Sequence, residues 1–134
     1  MKPEALSVLA VIDDEELAAD LAALLPGDIR LRWTRGSVAA VAELLRESPQ
    51  VLLVDLLLEP FYGDSSVLEG LALIRTIRQH IDAQLPIIAI VSDPSDDLCA
   101  ELRAVGVKDC LSKPLDLDGL FHIMSSFSNL QRGS

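Results

Sequence analysis

Residues 51–55 read Val51-Leu52-Leu53-Val54-Asp55. Four successive apolar residues leave no polar face, so the run reads as a strand covered on both sides. Strands of that kind lie inside a parallel sheet with helices packed on each face. The carboxylate ending the run would be costly to bury without a partner, which makes Asp55 the residue to explain.

Working outward, apolar runs alternate with helical patterns along the whole chain. Ser7 to Ile12 reads as a strand, and Glu15 to Leu25 as a helix with Leu17, Leu21 and Leu24 on one face, stopped at Pro26-Gly27. Ile29 to Trp33 predicts a weaker strand. Val38, Val41, Ala42 and Leu45 mark a helix ending near Ser48-Pro49. Beyond Asp55, a third helix carries Leu71, Ile74, Ile77 or Arg78, and Ile81. Pro86 to Val91 is again apolar throughout. Asp93 reads as the N-cap of a fourth helix with Pro94 at its first position. Leu98, Leu102 and Val105 stripe that helix, and Gly106 closes it as a C-cap. Asp109 to Leu111 is a short strand. The last helix starts near Asp116 and turns Leu117, Leu120, Phe121, Met124 and Phe127 inward. Five strands alternating with five helices predict a doubly wound α/β sandwich, whose site lies outside the carboxyl ends of the strands.

Composition bounds what such a domain does. The 134 residues fit one domain, taken as residues 1–131, with Arg132-Gly133-Ser134 set aside as a cloning scar. Half of the residues are hydrophobic and mean hydropathy is +0.36, so a core is available. Only 4% are aromatic, so that core is built from Leu, Ile, Val and Ala. A formal charge of −10 repels phosphate backbones and anionic lipid, which argues against direct nucleic-acid or membrane binding. Cys99 and Cys110 form no C-x-x-C pair and read as reduced thiols of a cytoplasmic protein. No signal peptide is apparent, and no apolar stretch approaches the ~18 residues of a membrane span.

The polar residues at the strand ends carry the chemistry. The first strand ends in Asp13-Asp14, the third in Asp55 and the fourth in Ser92; the fifth is followed by Lys113-Pro114. Two carboxylates about 4 Å apart repel by roughly 4 kcal/mol at an effective dielectric near 20, so such acids call for a cation. Mg²⁺ suits oxygen ligands and binds through one or two carboxylates plus a phosphate, which makes Asp14 and Asp55 candidate direct ligands and Asp13 a ligand through water. A carboxylate also attacks phosphorus to give an aspartyl phosphate. That transfer needs positioning and neutralisation of the equatorial oxygens, tasks open to Mg²⁺, Lys113 and Ser92. Taken alone, Asp13 and Asp14 read as caps of the following helix. Only the joint placement at four strand ends favours chemistry.

These residues resemble a known family. Val11-Ile12-Asp13-Asp14-Glu15, Leu52-Leu53-Val54-Asp55, Ile90-Val91-Ser92, Leu111-Ser112-Lys113-Pro114 and the approach Ala104 to Asp109 look like the receiver domain of two-component response regulators, over about residues 5 to 130. The resemblance implies a flavodoxin-like sheet of order 2-1-3-4-5. It implies Asp55 as phosphoacceptor, charged by a phosphohistidine on a sensor histidine kinase or a histidine phosphotransfer protein. It implies Mg²⁺ organised by Asp13, Asp14, Asp55 and the backbone carbonyl of Leu57, with Ser92 and Lys113 on the phosphoryl group. It further implies a cis Lys113-Pro114 bond, and a remodelled face of fourth helix, fifth strand and fifth helix that addresses an output domain or partner protein. Such a domain is a signalling element that catalyses only its own phosphorylation and dephosphorylation.

Three departures stand out. Cys110 occupies the position usually held by an aromatic residue three before the lysine. Asp93 replaces a usual small residue. The loop of residues 59–70 is long and carries Phe61 and Tyr62, which read either as a partner contact or as packing of the loop over itself. The competing function is a phosphorylation-independent interaction module of the same fold. A flavin site is disfavoured by the charge of Asp13-Asp14-Glu15-Glu16 where a phosphate loop would be needed. An Asp-nucleophile hydrolase is disfavoured by Leu57 where its second acid would stand.

Overall fold

A computed structural model describes residues 5–56, 66–92 and 95–132. Its elements alternate as expected. They are β1 (Leu6–Val11), α1 (Glu15–Leu24), β2 (Ile29–Thr34), α2 (Ser37–Arg46), β3 (Val51–Asp55), α3 (Ser66–His80), β4 (Ile87–Val91), α4 (Asp96–Ala104), β5 (Asp109–Ser112) and α5 (Leu117–Arg132). The strands form one parallel sheet of order β2-β1-β3-β4-β5. The order reverses beside β1, so a crevice opens between β1 and β3 at the carboxyl edge.

The three central strands are covered on both faces, which is why β1, β3 and β4 are apolar on consecutive residues. Leu9, Val11, Leu52, Val54, Ile87, Ala89 and Val91 pack on one face against Leu44 of α2, Leu71, Ile74 and Ile77 of α3, and Leu102 of α4. Val8, Ala10, Ile12, Val51, Leu53, Ile88 and Ile90 face the other way, onto Leu21 of α1 and Leu120, Phe121 and Met124 of α5. The expected inward faces of α3, α4 and α5 are found, with Leu98, Val105, Leu117 and Phe127 partly buried at their margins.

Two helical faces differ from expectation. Val38 and Leu45 of α2 point to solvent, whereas Ala40 and Leu44 are buried. Residues 38–42, 44 and 45 are all apolar, so the helix carries two overlapping stripes. Glu43 decides between them, because its carboxylate reaches Arg32 of the edge strand β2 at 2.7 Å. In α1 Leu24 is likewise exposed, and Leu25, just past the last turn, packs on the core instead. Trp33 closes β2 with its indole Nε1–H donating to Ile12 O at 2.8 Å.

The start of α4 is also later than expected. Its N-cap is Ser95, whose Oγ accepts from Leu98 N at 3.1 Å, and Asp96 is the first helical residue. A hydroxyl three residues before a helical amide satisfies one of the orphan donors of the first turn. Asp93 and Pro94 lie outside the described residues. At the other end the C-terminal expectation holds. Gly106 has φ +82°; its N–H donates to Arg103 O and that of Val107 to Leu102 O, the Schellman pattern of a left-handed glycine stop.

Candidate functional site

The register brings the polar strand ends together. Val11 of β1 lies opposite Val54 of β3, so Asp13 emerges beside the end of the strand that carries Asp55. Asp55 pairs with Ile90 of β4, and Leu56 N–H donates to Ile90 O at 3.0 Å. Ser92 follows β4 at once and is exposed. Lys113 follows β5, its backbone N–H donating to Val91 O at 3.0 Å.

Asp55 is 1% exposed, the one buried charged side chain among the described residues. Lys113 reaches over the end of β4 and sets its Nζ 2.8 Å from Asp55 Oδ2. The lysine side chain keeps 24% of its surface open, so the pair joins a sealed carboxylate to a cation that still meets solvent. The peptide bond Lys113-Pro114 is cis, as the resemblance implied.

The first two acids are held differently. Asp13 is half-buried, and its Oδ1 accepts from Gly36 N at 2.9 Å. Gly36, with φ +75°, is the N-cap of α2 and has no side chain to cap with. That tie between the loops after β1 and β2 is not legible in the sequence, where a glycine before the α2 pattern is its only local sign. Asp14 is exposed and is the N-cap of α1. Its Oδ1 accepts from Glu16 N at 3.0 Å and Leu17 N at 3.2 Å. A cleft of about 250 Å³ runs from Asp14, Glu16 and Asp20 to Lys113 and Pro114. The carbonyl of Leu57 and the loop with Phe61 and Tyr62 lie outside the described residues.

Among the described residues no three His, Cys, Asp or Glu side chains are gathered into a metal-binding group. Mg²⁺ does not require one, since it keeps several waters and takes one or two carboxylates plus a phosphate. Asp13, Asp14 and Asp55 offer a donor set of oxygen alone, which suits a hard cation, so the residues fit the ion.

Cys110 stands in β5 opposite Ala89, with its Sγ 3.5 Å from Cys99 Sγ of α4. No local pattern foretells that meeting, because the two residues are eleven apart and belong to different elements. His80 and His122 are exposed on α3 and α5, away from the strand ends.

The sequence profile of the response regulator receiver domain matches residues 8–125. Among solved structures, the signal receiver domain of a Luxo repressor protein from Vibrio parahaemolyticus superposes with a TM-score of 0.80 at 23% identity, covering 98% of this chain and 94% of that one. A CheY-like response regulator receiver domain protein from Methanospirillum hungatei gives a TM-score of 0.81 at 16% identity, covering 97% and 98%. The Mn²⁺-bound form of response regulator Rcp1 gives 0.66 at 22% identity, covering 89% and 88%. No curated protein matches the chain. Among the described residues no helix is long and apolar enough to cross a membrane.

Proposed function

The chain belongs to the response regulator receiver domain family, and on that premise we propose that residues 1–131 form one receiver unit in which Asp55 accepts a phosphoryl group from a phosphohistidine in a Mg²⁺-dependent transfer. The observation that carries the reading is the 2.8 Å contact between Lys113 Nζ and the sealed carboxylate of Asp55. An Asp oxygen attacks phosphorus as the P–N bond to the donor imidazole breaks, and the imidazole leaves with the electron pair. The nucleophile is the side-chain oxygen of Asp55. The chain's own task is to hold it and to meet charge on the phosphoryl oxygens. Burial at the end of β3 fixes Asp55. Lys113 neutralises one oxygen, and the hydroxyl of Ser92 donates to another. Asp13, Asp14, Asp55 and the carbonyl of Leu57 would hold Mg²⁺, which supplies further neutralisation of the phosphoryl oxygens; the Mn²⁺ bound by the structural relative Rcp1 supports a divalent ion in this fold.

Partners follow from that chemistry. The donor is a sensor histidine kinase or a histidine phosphotransfer protein, which puts the chain in the cytoplasm, and the receiver of the signal is an output domain or partner protein. The chain acts as a switch, not as a turnover enzyme. Addition of Mg²⁺ and beryllofluoride should give a saturable spectral change, and acetyl phosphate a phosphorylated species, both abolished by Asp55→Asn. An unresponsive wild-type chain that still folds would mean a phosphorylation-independent module.

A further inference from the structure

We propose that Cys99 and Cys110 are a reversible dithiol–disulfide couple that fastens α4 to β5. Their sulfurs are already in contact at 3.5 Å. Both side chains are half-buried and free of disulfides. With Arg103, Lys108 and Asp109 they line a groove of about 160 Å³, which gives a small oxidant access to the pair. Neither thiol takes part in the carboxylate site, so the contact is not explained by that chemistry.

The mechanics favour closure. A disulfide is about 2.0 Å long, so the sulfurs must approach by about 1.5 Å. Cys110 is fixed in the sheet by its register with Ala89 and Ile88–Asp109 beside it. Helix α4 is the element that yields, since Leu102 is the single fully buried side chain among its nine residues. Closure asks for rotation about the two Cα–Cβ bonds and a small settling of α4.

The oxidant required is hydrogen peroxide, and the atoms balance in two steps. One cysteine thiolate attacks a peroxide oxygen; an S–O bond forms, the O–O bond breaks, and the departing oxygen leaves as water after taking a proton. The second sulfur then displaces the sulfenic hydroxyl; the S–S bond forms, the S–O bond breaks, and a second water leaves. Two thiols are oxidised and one peroxide is reduced. Burial first, and the Cys99 contact second, push the Cys110 thiol up to about 11. It stays protonated at neutral pH, and the two steps ask only that one sulfur of the touching pair attack and the other resolve the intermediate. Cellular thiols reverse the bond by exchange, as expected of a transient cytosolic disulfide.

The crosslink would lock β5, the strand that Lys113 follows at once. The full chain treated with hydrogen peroxide tests it. Intact mass should fall by two hydrogens without dimer formation, and dithiothreitol should restore it. Trypsin cuts after Arg103 and Lys108, so the bond should join two otherwise separate peptides. Cys99→Ser and Cys110→Ser should each remove the link, and a sulfenic acid stranded at the remaining cysteine should be trapped by dimedone. A chain that stays reduced, that gains oxygen at either sulfur without linking, or that pairs between molecules would overturn the proposal.

Discussion

Replacing Gly70 by alanine should loosen the support beneath the acceptor. Gly70 is buried on α3, and a Cβ placed there lies 2.5 Å from Leu56 Cα, 2.9 Å from Leu56 O and 3.0 Å from Leu56 Cδ2. Carbon atoms rest at about 3.5–4.0 Å, so α3 would have to withdraw from β3 by about 1 Å. The leucine side chain has room to turn, but its backbone does not, because Leu56 N–H is tied to Ile90 O at the sheet edge. Overpacking costs about 1–3 kcal/mol, and a clash against backbone belongs at the top of that range. Alanine returns about 1 kcal/mol of helix propensity. The net loss is about 2 kcal/mol, or a fall in Tm of about 6–10 °C for a domain of this size. Calorimetry on the two chains reads it directly. Leu56 directly follows Asp55, so beryllofluoride binding should weaken as well. A Tm equal to or above that of the parent would refute the close approach of α3 to β3.

Other expectations follow from single contacts. Lys113→Ala removes the cation 2.8 Å from Asp55 and should slow phosphoryl uptake from acetyl phosphate about 10²-fold. It should also cost about 1–3 kcal/mol in urea unfolding, and adding Asp55→Asn should recover part of that loss; a strictly additive double variant would deny the coupling. Arg78→Ala strips hydrogen bonds from Val105 O, Gly106 O and Asp82 O. It should cost about 1–3 kcal/mol and speed amide exchange in the last turn of α4, whereas unchanged exchange there would contradict the role. Because burial and then the Cys99 contact raise the Cys110 thiol to about 11, its alkylation should keep accelerating above pH 9. The fold favours the neutral thiol, so the stability it contributes is complete below the ordinary thiol pKa and is lost as pH climbs towards 11. A rate that levels off near pH 9 would place the thiol in water.

Much of the fold was written in periodicity. Val51 to Val54 and Ile87 to Val91 need two dry faces, and only a covered parallel sheet supplies them. Where the periodic signal was ambiguous, tertiary contacts decided. The run from Val38 to Leu45 is apolar almost all round, so hydrophobicity alone could not say which stripe faces inward. The ion pair of Glu43 with Arg32, two elements joined only in space, settles it. The start of α4 is ambiguous in the sequence for a related reason. Asp93-Pro94 and Ser95 both satisfy the chemistry of a cap, and the choice rests on which oxygen meets Leu98 N. The meeting of Cys99 with Cys110 was illegible because helix-to-strand packing leaves no trace in local pattern.

Asp14 shows that a cap reading of a residue leaves room for the proposed chemical one. In the sequence a pair of acids after a strand was a cap by itself and a candidate ligand only in company. In the structure Asp14 is the cap, with Oδ1 taking both helical amides. Capping and cation binding draw on the same property, a carboxylate oxygen held at a fixed point by the donors around it. A carboxylate has two oxygens, and the α1 amides both use one of them. Asp13 is likewise anchored through Oδ1, by Gly36, and Asp55 through Lys113. Each acid at the crevice is therefore oriented by a donor from a different element: α1, the loop before α2, and the end of β5. Rigid orientation of separate charges by separate elements is what a site for a hard cation and a phosphoryl group requires, because neither is met by a side chain that must first be ordered.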